Sequence, residues 1–127
     1  MKPTIIKANS LNMTLTPERC YIAENYSSND GKVSIAIATV KPGITTVAHH
    51  LKGIEEIYII TQGTGLIDIK NMEPTQVTVG DVIIIPDGTS QRITNIDNCD
   101  LVFYCVCTPK FTQEQYFNDE KQTNNTL

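Results

Sequence analysis

The two histidines of the chain, His49 and His50, are adjacent, and imidazole is a side chain that both binds metals and moves protons near neutral pH. The four cysteines form no C-x-x-C pair of the kind found in zinc knuckles and redox dithiols. Cys105 and Cys107 would share one face of a strand, a poor geometry for a mutual disulfide. We therefore expect these thiols to pack as small apolar groups, and a histidine-bound ion to be a catalytic metal.

The composition describes one soluble domain with a core of its own. The chain has 127 residues, of which 40% are hydrophobic, and a formal net charge of -4. A domain of this size needs neither a disulfide nor a metal to fold, so a bound metal would serve function. The spread acidity predicts neither a nucleic-acid partner nor a membrane surface. With no apolar run near the eighteen residues of a membrane helix and no signal-peptide pattern at the start, we expect a cytoplasmic protein.

Short runs with a period of two predict an all-β fold. Residues 33–40 alternate larger side chains with the small side chains of Ser34, Ala36 and Ala38, as expected for a strand with two unlike faces. Similar runs, most of them bounded by Gly, Pro, Asn or Asp, occupy residues 54–61, 66–70, 76–79, 82–85, 91–95 and 101–107. Closely spaced strands without intervening helices predict a sandwich or a barrel.

The sequence divides into a barrel and two flanking segments. We expect residues 1–32 to form N-terminal strands that pack on the barrel or on a partner subunit, and residues 33–111 to form the barrel itself. In residues 112–127, Thr112 could cap a short helical turn, followed by a frayed polar tail.

Two predicted strands are apolar on both faces, which favours a homodimer. Residues 57–60 and 82–85 carry large apolar side chains at successive positions. One face of a strand in a small barrel should meet water, so an apolar outer face indicates cover by another subunit. The alternative is cover by the N-terminal residues 4–16.

Residues 42–65, PGITTVAHHLKGIEEIYIITQGTG, resemble the first motif of the cupin superfamily. In words, that motif is Gly, five residues, His, one residue, His, three or four residues, Glu, six residues, Gly. Four residues fall on this register: Gly43, His49, Glu56 and Gly63. Leu51 stands where the second His belongs.

Residues 80–95, GDVIIIPDGTSQRITN, are similar to the second cupin motif, which is Gly, five residues, Pro, one residue, Gly, two residues, His, three residues, Asn. The matching residues are Gly80, Pro86, Gly88 and Asn95. Gln91 stands where the His belongs. The resemblance covers residues 34–109 and implies a single cupin-type jelly-roll β-barrel. It does not imply one activity, because the family includes isomerases, epimerases, dioxygenases, decarboxylases, lyases and binding proteins.

The resemblance implies a site for one divalent metal inside the barrel. His49, Glu56 and Gln91 occupy the ligand positions, and this oxygen-rich set would suit iron, manganese, zinc or nickel with open positions for water or substrate. A β-bulge would turn His50 inward as an alternative ligand. The alternative is a metal-free barrel in which each of these residues is a satisfied polar group.

Two functions are compatible with such a cavity. The first is an enzyme that acts on a small polar organic substrate by isomerase, lyase or dioxygenase chemistry. The alternative is a non-catalytic module that binds a sugar or small metabolite through Gln91, Tyr58 and His49. In either case Tyr58 lies two residues after Glu56, so its hydroxyl could reach a ligand oxygen, with core packing as its other role.

Overall fold

The computed structural model describes residues 2–120, which form eleven β-strands and two 3₁₀ turns. The strands are β1 (Thr14–Leu15), β2 (Tyr21–Ser27), β3 (Ser34–Val40), β4 (His49–Leu51), β5 (Glu55–Gln62), β6 (Thr64–Ile69), β7 (Thr75–Thr78), β8 (Val82–Ile85), β9 (Gln91–Asn95), β10 (Leu101–Thr108) and β11 (Tyr116–Asn118). The 3₁₀ turns span Ala8–Ser10 and Gln113–Gln115. No helix in the described part of the chain is long and apolar enough to cross a membrane.

The strands form two antiparallel sheets that enclose one core. One sheet has the order β1-β2-β3-β10-β5-β8, and the other has the order β11-β4-β9-β6-β7. The most deeply buried large side chains come from both sheets and include Val40, Ile60, Ile93 and Leu101. The predicted all-β jelly-roll barrel is confirmed.

Strand β3 shows how the alternation of side-chain size shapes the barrel. Its small residues Ser34 and Ala38 are buried on the inner face, whereas Ile35 and Ile37 are half-buried on the outer face. Because small side chains cannot fill the space between the sheets, the inner face of this strand lines a cavity. The larger side chains are left for the outside of the molecule.

The segment after β10 differs from the expected helical turn. Only Gln113–Gln115 is helical, as a 3₁₀ turn, and the residues that follow form β11, which pairs with β4. The Thr112 side chain caps no backbone N–H, because its hydroxyl donates to Gln115 Oε1 at 2.7 Å. Pairing with β4 therefore replaces the helical hydrogen bonds. The predicted frayed tail beyond Glu120 lies outside the described residues.

Gly63 marks the point where the chain passes from β5 in one sheet to β6 in the other. Its φ of +85° is in the left-handed region, and a Cβ here would lie 2.8 Å from the carbonyl oxygen of Asp100. Both conditions exclude a side chain, so the last glycine of the first motif is required by this crossing.

Candidate functional site

A cavity of about 430 Å³ lies between the two sheets. The titratable side chains that line it include Glu18, His49, Glu56 and Tyr58, with Cys105 and Cys107 beside them. This volume is within the range of small-molecule binding sites. The cavity therefore contains the residues that the motifs singled out, except Gln91, which lies just behind His49 and Tyr58.

His49 is fixed by its two ring nitrogens and by an aromatic neighbour. The ring lies on β4 with 4% of the residue exposed, and Nδ1 is 2.8 Å from the carbonyl oxygen of Val47. Only an N–H can pair with a carbonyl, so Nδ1 carries a proton and donates it. Tyr116 of β11 stacks on the ring with 4.9 Å between centroids. Nε2 is consequently left to act as the acceptor on the side facing Gln91.

Gln91 links His49 to Tyr58. Strands β4 and β9 pair His49 with Gln91, and the amide nitrogen of Gln91 donates to His49 Nε2 at 3.0 Å and to the Tyr58 hydroxyl at 2.6 Å. Gln91 is only 2% exposed, and its Oε1 has no hydrogen-bond partner among the described residues. The three side chains form one buried polar network, which fixes the orientation of each.

Glu56 is a buried carboxyl next to this network. It lies on the inner face of β5 at 8% exposure, and it accepts hydrogen bonds from the Cys107 thiol at 3.8 Å and from Tyr58. Burial first, and then the negative charge of Glu18, raise the pKa of Glu56 to about 8. Glu56 is therefore a neutral acid at pH 7, able to donate a proton into the cavity.

Glu18 is a cavity residue that the sequence analysis missed. It is half-buried in the turn between β1 and β2, burial raises its pKa, and the Cys20 thiol lies 3.9 Å from Oε1. The next residue, Arg19, has a left-handed φ of 70° and turns away to donate from Nε to the Thr45 carbonyl at 2.9 Å. The sequence TPERC gave no signal of this, because neighbouring opposite charges are typical of a solvated turn.

His50 lies on the opposite face of β4, outside the cavity. Its Nδ1 is 2.9 Å from the Asp119 carboxylate, and its ring stacks on Phe117 with 5.1 Å between centroids. Strand β4 pairs with β11 in a regular register, so no bulge turns His50 inward. Although burial acts against it, the hydrogen bonds from His50 and Ser90 hold the pKa of Asp119 below its usual range.

The inward-facing cysteines are weak hydrogen-bond donors rather than nucleophiles. All four cysteines are free, and Cys105 and Cys107 face the cavity opposite Tyr58 and Glu56. Burial first, and then the charge of Glu56, raise the pKa of both thiols well above its usual range. The thiols remain protonated at neutral pH and do not form the thiolate that nucleophilic chemistry requires.

The donor set, as arranged, does not fit a bound divalent metal. Residues 2–120 contain no group of three His, Cys, Asp or Glu side chains that could hold one. The lone pair of His49 Nε2 accepts the Gln91 amide N–H, and buried Leu51 occupies the position of the second motif histidine. Coordination by Gln91 Oε1 would require the amide to turn over and break both of its hydrogen bonds.

Comparisons with known proteins agree with the motif assignment. A family model described as the cupin domain matches residues 36–107. Uncharacterized protein MJ1618 of Methanocaldococcus jannaschii is 35% identical over 114 residues, which cover 90% of this chain and 85% of that protein.

Two solved structures are similar in fold. A predicted oxalate decarboxylase from Thermotoga maritima has a TM-score of 0.76 at 23% identity, over 84% of this chain and 99% of that one. Pac13, a nucleoside dehydratase, has a TM-score of 0.76 at 11% identity, over 92% of this chain and 91% of that one, and a variant of the Streptomyces protein has also been solved with uridine. At these identities the likeness concerns the fold alone.

Proposed function

This chain belongs to the cupin family, and from that premise we propose that it binds a small polar organic molecule in the barrel cavity and exchanges a proton with it through Glu56. The observation that carries the proposal is a carboxyl at 8% exposure facing a cavity of about 430 Å³. Isomerase and lyase reactions both need a positioned group that gives or takes a proton, and a pKa near the working pH serves that role best.

The network around Glu56 supports this role. Tyr58 bonds Glu56, and the Gln91 amide joins the Tyr58 hydroxyl to His49 Nε2. Because Tyr58 and Gln91 are buried and hydrogen-bonded, they hold the carboxyl side of the cavity in one geometry before a ligand enters. Tyr58 and His49 also line the cavity, where the Tyr58 hydroxyl retains an acceptor lone pair for a ligand hydroxyl and the His49 ring offers a surface for ligand packing.

The test combines ligand stabilisation with proton exchange. A panel of polar metabolites is screened by thermal shift with and without chelator, using the wild type, Glu56→Gln and the control Glu55→Gln, which changes an exposed carboxyl on the other face of β5. A stabilising metabolite is then incubated in deuterium oxide and followed by NMR.

We expect stabilisation that chelator does not change, and exchange of a ligand proton that Glu56→Gln abolishes and Glu55→Gln retains. If no metabolite shifts the melting temperature of the wild type, the binding proposal fails. If stabilisation is present but no ligand proton exchanges, the non-catalytic alternative, a module that binds a sugar or metabolite, replaces the enzyme.

A metal-dependent function is the second candidate. It would place iron, manganese, zinc or nickel between His49, Glu56 and Gln91, and it is favoured by the unpartnered Gln91 Oε1 and by the Val47 carbonyl that orients the imidazole. We expect protein reconstituted with each metal and then dialysed to retain a negligible amount. One tightly held ion per chain, lost in His49→Ala, would overturn the metal-free proposal.

We also propose that the chain acts as a cytoplasmic homodimer. The outer side of the six-stranded sheet carries a continuous apolar surface, the outer patch, formed by Ile35, Ile37, Ile57, Ile59, Val82, Ile84, Tyr104 and Val106. The described N-terminal residues leave Val82 and Ile84 more than half exposed, so the outer patch is available to a second copy. Four free cysteines are consistent with a reducing compartment.

A further inference from the structure

The cavity is lined by acidic side chains whose charge is not balanced by any lysine or arginine among the described residues. Glu18, Glu24 and Glu56 line it, whereas no lysine or arginine from residues 2–120 does so. Arg19, the neighbour of Glu18 in sequence, turns outward and pairs with Glu120. The potential inside the cavity is therefore set by carboxyl groups, so a negatively charged ligand would be repelled.

The carboxyls of Glu18 and Glu56 each accept a hydrogen bond from a thiol, which is a weak donor. The carboxyl of Glu18 accepts from the Cys20 thiol at 3.9 Å, and that of Glu56 accepts from the Cys107 thiol at 3.8 Å and from Tyr58. A carboxylate has about four acceptor positions, and a thiol is a poor donor. Both groups consequently retain capacity for a strong, positively charged N–H donor, which would also offset the cost of ionising Glu56, a neutral acid at pH 7 while the cavity is empty.

Aromatic rings line the same cavity. They are Tyr58, Phe103, Phe111 and Tyr116. Tyr58 and Phe103 lie against each other with 4.5 Å between centroids, and Tyr116 stacks on His49. The face of an aromatic ring attracts a cation, and rings combined with carboxylates are the usual surroundings of a bound ammonium group.

Resting on the proposed function, we propose that the ligand of this cavity is a small organic ammonium ion, held by Glu18 and Glu56 and by the surrounding aromatic rings. The apolar part of such a ligand packs on the small side chains of Ala36 and Ala38, which leave the room for it. Glu18 is then the residue that selects a cation, since it reaches the cavity from the turn between β1 and β2.

Three compounds of the same shape and different charge test the inference: neopentylamine, neopentyl alcohol and pivalate. Their affinities for the full chain are measured by isothermal titration calorimetry at neutral pH. We expect the protonated amine to bind about tenfold or more tightly than the alcohol, because a charge-assisted hydrogen bond adds at least that much. We expect no binding of pivalate.

Variants assign the selectivity to Glu18. Glu18→Gln should lower the affinity for the amine by about tenfold and leave that for the alcohol within about twofold, while Glu18→Asp retains a preference for the amine. The control Glu55→Gln should change neither affinity, and circular dichroism verifies that each variant is folded.

Equal affinity for amine and alcohol, a preference for pivalate, or an unchanged preference in Glu18→Gln would overturn the ammonium assignment and leave the proposed function standing. Absence of binding by all three compounds at millimolar concentration would also overturn it. The metabolite panel described above decides the proposed function separately.

Discussion

The raised pKa of Glu56 affects both the protonation of the cavity and the stability of the fold. Its burial favours the neutral acid that a proton donor requires, and the nearby Glu18 carboxyl acts in the same direction. A group whose pKa is raised on folding binds its proton more tightly in the folded state than in the unfolded chain. The same perturbation that would suit Glu56 to the proposed proton exchange must therefore appear in the pH dependence of folding.

The free energy of unfolding should fall as the pH rises from about 5 to 8. Over this interval the unfolded chain has already lost the Glu56 proton, whereas the folded protein keeps it up to a pKa of about 8, so each pH unit costs at most about 1.4 kcal/mol. The raised pKa of Glu18 adds to the slope. Urea unfolding at several pH values measures it.

The matched variants are Glu56→Gln, which should remove most of this slope, and Glu55→Gln, which should keep it because Glu55 is exposed. A wild-type stability that rises from pH 5 to 8 would contradict the raised pKa of Glu56.

The elements position the site through differences between strand faces and through a few turns. Strand β3 turns its small side chains inward, and β11 brings Tyr116 over His49. The passage between the sheets at Gly63 places the carbonyl of Asp100 where a side chain would otherwise be. The cavity is thus a consequence of how the strands are connected as well as of which residues line it.

Gly63→Ala should destabilise the protein more than Gly43→Ala does. Both glycines have φ near +80°, which is strained for alanine by roughly 1–2 kcal/mol, but only at Gly63 would the Cβ meet backbone, at 2.8 Å from Asp100 O. We expect an additional cost of about 1 kcal/mol or more at Gly63, because the backbone must move. Chemical denaturation of both variants measures the difference, and equal losses would show that the close approach has no energetic effect.

At the scale of the whole molecule, the outer patch includes exposed apolar side chains, whereas the apolar side chains of the inner core are buried. Ile84 is 58% exposed and pairs with half-buried Ile57 across the β5–β8 ladder. Burial of this surface in a twofold interface would contribute about 25 cal/mol for each Å² of apolar area removed from water. Association also carries a large entropic cost, so only an extended patch can produce a stable dimer.

Ile84→Lys should convert the dimer to a monomer at micromolar concentration, because a charge would be buried at the proposed interface. Size-exclusion chromatography with light scattering measures the mass of the wild type and the variant. Val79→Lys changes a similarly exposed valine outside this sheet and should leave the dimer intact. A monomeric wild type would contradict the proposed homodimer.

The sequence by itself determined the fold class and the positions of the motif residues. Period-two alternation and turn glycines are local properties. They predicted strands at residues 82–85 and 91–95, which are the observed limits of β8 and β9. Asn95 matched the second motif, and the structure shows why that position is an amide: its nitrogen donates to the carbonyls of Val40 and Cys99, each at 2.8 Å. Short β4 and β11 were not predicted, and the limits of β1 were not predicted within the expected N-terminal strands, because two or three residues carry no measurable period.

Only the tertiary structure decided what the site residues do. The motif brought His49 and Gln91 together, but the direction of the amide, which donates to the imidazole at 3.0 Å, depends on the Tyr58 hydroxyl on the facing sheet. Glu18 lines the cavity from a turn in which the next residue, Arg19, has a left-handed backbone, and no local sequence pattern predicted either feature. Contacts between residues far apart in the chain set the burial and charge of each group, and a linear sequence does not specify those distances.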